Sequence, residues 1–367
     1  MFLNNVILQY ANLQIFLLIF MKNNQIRKIL VIRFSSIGDI VLTTGFVRIL
    51  RNKFPDAKID FLIYKPFREI YELNPHIDQI ITCEKNATDS TIRILKNNIT
   101  RNHGTYDIIF DLHNNSISNK FSENFASIVH KVDKRRIFKL KLVWLKKGIG
   151  ESYRQIHDIY LDTMKDYGIE DDGLGLEFWL SNDKENTNYL PFQRQFRRKD
   201  KLNIVVAPGA HFKTKQWGYL NYAHLIRKLK PLTNKVTLVG GLNDSVHAQK
   251  IIELNPDVIN LCGKTNLIKT CEEIDNADLL ITNDTGVMHI AASRKVPVVT
   301  IFGSSVKELG FEPYAVKHLL IESELSCRPC SHIGRRFCPL IHFNCMNSIT
   351  PDIAHKKIIE FVDSVYV

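Results

Sequence analysis

The sequence predicts an α/β protein made of two doubly wound halves. Short apolar runs alternate with amphipathic segments along most of the chain, the signature of a parallel sheet with helices on both faces. That alternation loosens around residues 114–148, gives way to a polar stretch over Leu180–Leu202, and then resumes as a second series. The length, 367 residues, suits two domains of about 150–200 residues each.

The chain opens on an apolar extension, residues 1–21, "MFLNNVILQYANLQIFLLIFM". It has no charged region before the apolar run and no small-residue cleavage site, which argues against a secretory signal. Its unbroken apolar part, Ile15–Met21, is too short to cross a bilayer. Three readings stand: a start placed upstream of the native one at Met21, a surface or interfacial helix, or a membrane anchor. Strands are expected at Ile29–Phe34, Lys58–Ile63, Gln79–Thr82 and Tyr106–Leu112, with helices at Ile40–Lys53, Phe67–Leu73 and Ser90–Arg101 between them. The segment "KVDKRRIFKLKLVWLKKG", residues 131–148, carries eight Lys/Arg with Phe138, Val143 and Trp144 interleaved. It reads either as a solvated, twisted edge strand or as a surface that meets anionic lipid or sugar phosphates. A helix over Tyr153–Tyr167 follows.

After the polar linker, strands are expected at Asn203–Ala207, Val236–Val239, Val258–Leu261, Asp278–Thr282 and Val298–Phe302. The intervening helices are Gly218–Leu229, Ser245–Leu254, Leu267–Ala277 and Val287–Ser293. A last helix, 351–367, begins at a proline suited to the first turn. The domain limits expected from this pattern are 22–185, 186–350 and the terminal helix. In open sheets of this kind ligands lie beyond the carboxyl ends of the strands, so two halves facing each other make a cleft.

The formal net charge is +11 and the sequence pI about 9.2, which favours an anionic partner. No RNA-binding signature accompanies the charge, so nucleic acid is not expected as a partner. Seven cysteines, an odd number without a secretory signal, fit a reducing compartment. Cys327, Cys330, Cys338 and Cys345 have C-x2-C-x7-C-x6-C spacing with His332 and His342 nearby. Such ligands suit tetrahedral zinc. Only one C-x-x-C pair is present, so packed, reduced thiols are preferred and no metal or cofactor is expected.

Three strand–loop–helix junctions in the second half carry ligand chemistry. In "ITNDTGVMHIAAS", Asp284 or Thr285 can cap a helix, Gly286 admits close approach to the backbone, and the helix N-terminus suits a diphosphate. In "APGAHFKTKQW", His211, Lys213 and Lys215 project cations from a loop, and a lysine there can neutralise a phosphate. In "VGGLNDS", Asp244 either accepts from ribose or base hydroxyls or simply caps a helix. The first half offers a fourth junction, "RFSSIGDIV", with Ser35, Ser36, a single glycine, Gly38, and an acid, Asp39, where a phosphate loop would avoid one. The chain has no G-x-x-x-x-G-K-[ST], no G-x-G-x-x-G and no D-x-D, which speaks against a P-loop NTPase, a dehydrogenase and a metal–diphosphate site.

Together "KILVIRFSSIGDIVLTTGFVRILRNKFPDAKIDFLI", "APGAHFKTKQW", GG-x-x-D and "TNDTGVMHIAA…VPVVTIFG" resemble glycosyltransferase family 9, the ADP-heptose:lipopolysaccharide heptosyltransferases. The resemblance runs from about Lys28 to Thr350 and implies a GT-B fold, with the acceptor bound by the N-terminal Rossmann-like domain and the donor by the C-terminal one. It implies an inverting, metal-independent transfer of heptose from ADP-heptose to the lipid A–inner core acceptor. By this resemblance Asp39 is the general base. The implied donor contacts are Lys215, Asp284, Thr285, Gly286, Met288 and His289, joined by His211 and Asp244, while Ser35, Ser36 and Gly38 form the acceptor loop. His211 stands near where some members place a phosphate-contacting hydroxyl. The implied setting is a monomer at the cytoplasmic face of the inner membrane. The alternatives are the same fold using another nucleotide sugar and envelope glycan, a non-catalytic protein that binds anionic surfaces, and a sugar-nucleotide epimerase, against which the motifs argue.

Overall fold

The computed structural model describes residues 26–146, 153–185, 194 and 200–366. The apolar extension and most of the expected linker lie outside these residues.

The first lobe is built in order from β1 (Lys28–Ile32), α1 (Ile37–Val41), α2 (Thr44–Lys53), β2 (Lys58–Tyr64), β3 (Gln79–Cys83), α3 (Asp89–His103), β4 (Tyr106–Asp111), α4 (Ser116–Ser122), β5 (Ala126–Lys131), α5 (Arg136–Leu145) and α6 (Ile156–Leu161). All its strand pairings are parallel, in the order β3-β2-β1-β4-β5. The second lobe comprises β6 (Leu202–Ala207), α7 (Tyr219–Leu229), β7 (Thr233–Leu238), α8 (Ser245–Leu254), β8 (Ile259–Asn260), α9 (Leu267–Asp275), β9 (Leu279–Asn283), α10 (Gly286–Ser293), β10 (Val298–Phe302), β11 (His318–Glu322), α11 (Asn344–Asn347) and α12 (Pro351–Val365). Its order is β11-β10-β9-β6-β7-β8, again parallel throughout. The expected pair of doubly wound sheets is therefore present. Their central strands are continuous apolar runs because helices cover both faces: Ile29, Leu30, Val31 and Ile32 are all fully buried. In each sheet strand order reverses beside the first strand, between β1 and β4 and between β6 and β9. Those switch points are where such sheets open a crevice.

Several elements depart from the sequence expectation. The single helix expected over Ile40–Lys53 is two, because the hydroxyls of Thr43 and Thr44 donate to the Ile40 and Val41 carbonyls at 2.6 and 2.7 Å. Such back-bonding disturbs a helical ladder. Phe67–Leu73 forms a tight helical turn over Lys65–Ile70, and the Tyr153–Tyr167 helix is α6 followed by a similar turn over Asp162–Tyr167. The basic run is not an edge strand; β5 precedes it and most of it is α5. The Asp133 side chain accepts from Arg135 N–H at 2.8 Å and turns the chain. Phe138 and Leu142, spaced one helical turn apart, then bury against Leu309, whereas a strand would also have buried Leu140. The terminal helix is as expected, with Thr350 accepting from Ile353 N–H at 3.3 Å and proline in the first turn.

Two buried arginines hold the segment 171–185 that leads from one lobe toward the other. Arg48 of α2 donates to both carboxylate oxygens of Asp172 at 2.8 Å, to Glu177 at 3.1 Å and to the Gly175 carbonyl at 2.8 Å. Arg294, just past α10, pairs with Asp183 at 2.7 Å and Asp275 at 2.9 Å, and donates to the Phe178 carbonyl.

Candidate active site

At the switch point of the first lobe, β1 ends and Arg33 turns back. Its guanidinium donates to the Leu112 carbonyl beyond β4 at 2.6 Å and pairs with Asp39 at 2.6 Å. The other Asp39 oxygen accepts from the Ser36 amide at 3.1 Å and the Ser36 hydroxyl at 2.7 Å, so Ser36 and Asp39 close a capping box on α1. Burial pushes the Asp39 carboxyl up, but Arg33 and the two Ser36 donors outweigh it and hold it below the ordinary carboxylate range. Tyr160 faces this pair, with the Arg33 guanidinium 5.6 Å from its ring centre. His113, from the turn after β4, lies in the same field. Burial and then Arg33 push its imidazole down to about 3, so it is neutral. Lys134 and Lys139 reach in from the basic run and feel both Arg33 and Asp39. Two carboxylates, Asp39 and the fully buried Asp111, thus share a half-buried chamber with three cations.

The second lobe assembles its site from three strand ends. Asn283, the last residue of β9, donates its amide to the Pro208 and Gly209 carbonyls at 2.8 and 3.1 Å, and its carbonyl accepts from Trp217 N–H at 3.2 Å. This side chain sews the β9 end to the loop after β6. Thr214 anchors the same loop through Ser304 and the Arg335 main chain. Lys215 is thereby presented to Asp284, at 2.7 Å, and Ser305 donates to the same carboxylate oxygen. Thr285 caps α10 by position, and its hydroxyl meets that of Thr282 at 3.2 Å. His289 is buried, its Nδ1 has no partner among the described residues, and its imidazole is pushed down to about 4, first by burial and in part by Lys215, against the pull of Asp284 and Asp39.

The two halves of the site meet at two glycines, Gly38 and Gly286, packed against main chain and against the side chains of Ile37 and His289. A Cβ on Gly286 would stand 2.8 Å from the Gly38 nitrogen and 2.9 Å from Ile37 Cβ; one on Gly38 would stand 2.8 Å from His289 Cδ2. Gly286 is therefore required by the approach of α1 to α10, a role its sequence context did not reveal. His289 bridges the electrostatics of Asp39 on one lobe and Asp284 with Lys215 on the other.

The remaining expected residues are placed less uniformly. Asp244 lies against two glycines: a Cβ on Gly209 would fall 2.0 Å from its Oδ1, and one on Gly240 would fall 2.8 Å from its Oδ2. It accepts from Gly241 N–H at 2.9 Å, and burial raises its carboxyl above the usual range. It therefore stands at the carboxyl ends of β6 and β7 as well as at the start of α8. His211 is exposed and its ring contacts Phe212. Met288 is buried in the main apolar core, which is a packing position. Ser35 is half-buried beside the exposed Ser36. Cys327, Cys330, Cys338 and Cys345 carry free thiols. Among the described residues no group of three or more His, Cys, Asp or Glu side chains is arranged to hold a metal ion. Arg33, His113, Tyr160, Thr214 and Ser305 escape sequence reasoning, because only the fold brings them to the cleft. Arg33, three residues before the Ser-x-Gly-Asp loop, had a signal: a charge at the end of an otherwise apolar strand.

Two parallel Rossmann-like lobes that meet at their switch points form the GT-B architecture. The family model for glycosyltransferase family 9 (heptosyltransferase) matches residues 154–341, and the chain belongs to this family. Lipooligosaccharide heptosyltransferase 2 of Campylobacter jejuni is 31% identical over 182 residues, 47% of this chain and 54% of that protein, so the chain spans about half the length of this relative. The Haemophilus influenzae lipooligosaccharide heptosyltransferase 2 is 25% identical over 351 residues, 91% of this chain and 99% of that one. Among solved structures, Escherichia coli ADP-heptose lipopolysaccharide heptosyltransferase II superposes with a TM-score of 0.67 at 20% identity, covering 92% of this chain and 99% of that one, which shows the shared fold.

Proposed function

We propose that this protein transfers heptose from ADP-heptose to a hydroxyl on the inner core of a lipid A-linked lipopolysaccharide acceptor, with inversion and without a metal. The observation that carries this is the opposition of Asp39 to the Lys215–Asp284 pair across His289. Inversion needs a single displacement: the acceptor oxygen attacks the anomeric carbon, its proton passes to a base, and the bond to the diphosphate breaks. Asp39 stays ionised beside Arg33 and takes that proton on the oxygen that Ser36 now donates to. Lys215 exchanges Asp284 for the departing diphosphate, and the free N–H groups at the start of α10 share its charge. Arg33, Lys134 and Lys139 suit an acceptor that carries its own negative charge. Asp244 and the glycines beside it offer a place for the nucleoside. The family and its lipooligosaccharide and lipopolysaccharide heptosyltransferase relatives support this choice of sugar and acceptor class.

A donor screen against a delipidated core acceptor tests this reading. Transfer from ADP-heptose, with product of inverted anomeric configuration by NMR and unaffected by EDTA, is the expected result; transfer only from another nucleotide sugar overturns the donor. Asp39→Ala is expected to lower kcat on the order of a hundred- to ten-thousand-fold with donor affinity intact. A mutant with near wild-type turnover removes Asp39 from the role of base.

A further inference from the structure

Helix α5 buries Phe138 and Leu142, yet its opposite face is also apolar. Ile137 is 69% exposed, Leu140 57% and Trp144 78%. These three recur at helical spacing and form one outward ridge, with Leu145 beside its end. A ridge this large is unusual on a soluble surface and marks a place of contact. The segment that carries the ridge is basic, while Glu308, Glu322 and Glu324 lie on the inner side beside Leu142 and Lys146. From Lys134 to Gly150 the sequence has seven Lys/Arg and no acid. Arg136, Lys141 and Lys146 are exposed along the helix, and none of the three pairs with a carboxylate among the described residues. Lys146 donates to the Pro329 carbonyl at 2.7 Å and ties the helix end to a loop that exposes Phe337 and Ile341, with Arg335 and Arg336 between Ile333 and Phe337. At its other side α5 sends Lys139 toward Asp39, so the ridge flanks the acceptor chamber.

We infer that the outward face of α5 docks on an anionic lipid bilayer, with Ile137, Leu140 and Trp144 entering the interface and Arg136 and Lys141 meeting phosphate headgroups. An aromatic and aliphatic ridge flanked by flexible cations is the chemistry of an interfacial helix. The charge selects the occupant: a net charge of +11 disfavours a second copy of this chain, and an acid-free basic run favours a dense negative surface. The inference deepens the reading of a lipid-borne acceptor, on which its purpose rests. Docking here would hold the acceptor chamber at the plane where the acceptor emerges.

The test is co-sedimentation of the full chain with vesicles of equal parts phosphatidylglycerol and phosphatidylcholine, against vesicles of phosphatidylcholine alone. Binding to the first and about tenfold weaker binding to the second is expected. Replacing Ile137, Leu140 and Trp144 together by serine is expected to weaken binding at least tenfold, and R136Q with K141Q by about tenfold. Circular dichroism melts identify misfolding in the triple variant; the double charge variant, which changes no packed side chain, stands if the triple one unfolds. Undiminished binding by folded variants, or no binding by the wild type, overturns the inference. Transfer to the delipidated acceptor is measured in parallel. Vesicle binding with no transfer from ADP-heptose counts against the enzymatic reading alone.

Discussion

Asp39 is anchored at both carboxylate oxygens, and that anchoring was hidden in the sequence. Its place in a Ser-x-Gly-Asp loop suggested a free carboxylate facing an acceptor hydroxyl. The structure shows both oxygens engaged, one by Arg33 and one by Ser36. Arg33 sets how long the carboxylate remains ionised as pH falls. Arg33→Gln removes that cation, so the carboxyl titrates at higher pH, and the acid limb of the kcat/KM profile is expected to move to higher pH with it. An unmoved limb would mean that another group controls it. Asp39 and Gly38 were legible because their loop follows a clear strand. Arg33 carried only the hint of a charge closing an apolar strand, and Tyr160 carried none, since it lies 121 positions beyond Asp39 and only the packing of α6 delivers it.

The strand–loop–helix junctions were the most readable elements, since an apolar run ending in Gly, Asn or Thr announces itself in any context. The edge-strand reading of the basic segment fails because its charges obscured the spacing of Phe138 and Leu142, which decides for a helix. What single junctions could not show is that α1 and α10 touch. Gly286→Ala is therefore predicted to act on a contact between lobes rather than on a ligand. The added methyl meets the Gly38 nitrogen at main-chain distance, so the helices must separate. A stability loss of about 1–3 kcal/mol in denaturant titrations is expected, as for other overpacked sites, together with a loss of kcat/KM of at least about tenfold as Lys215 and Asp39 move apart. Wild-type stability and turnover in this variant would show that the contact is dispensable.

At the scale of the molecule, the lobes are held together by more than the site. Glu69 of the first lobe accepts from the Leu267 and Ile268 amides at the start of α9, at 2.8 and 3.3 Å. Tyr314 of the second reaches Asp158 and Asp171 at 3.0 and 2.8 Å. Arg294 fastens the segment between them. Its guanidinium is 2% exposed, so Arg294→Ala leaves Asp183 and Asp275 without their buried partner and is expected to destabilise the protein by about 3–5 kcal/mol in chemical denaturation. The sequence marked this stretch only as a polar linker, since pairs of charges far apart in the chain carry no local signal. The buried histidines give a second global property. His289 and His113 have folded values of about 4 and about 3, below the 6.5 of the open chain. Unfolding therefore takes up protons, and stability falls as pH drops from about 6.5 toward 4. The melting temperature is expected to decline over that window, and His289→Gln to flatten the decline.

The glycine contact between α1 and α10 also bears on how the protein could be stopped. At that point Gly286 lies against the Gly38 nitrogen and Ile37, and Gly38 against the His289 ring, so any added atom forces the lobes apart. A compound need not imitate a sugar nucleotide to disable such a cleft. A thin wedge, no thicker than a methyl group, lodged between Gly38 and Gly286 would hold the carboxylate of one lobe out of reach of the lysine of the other.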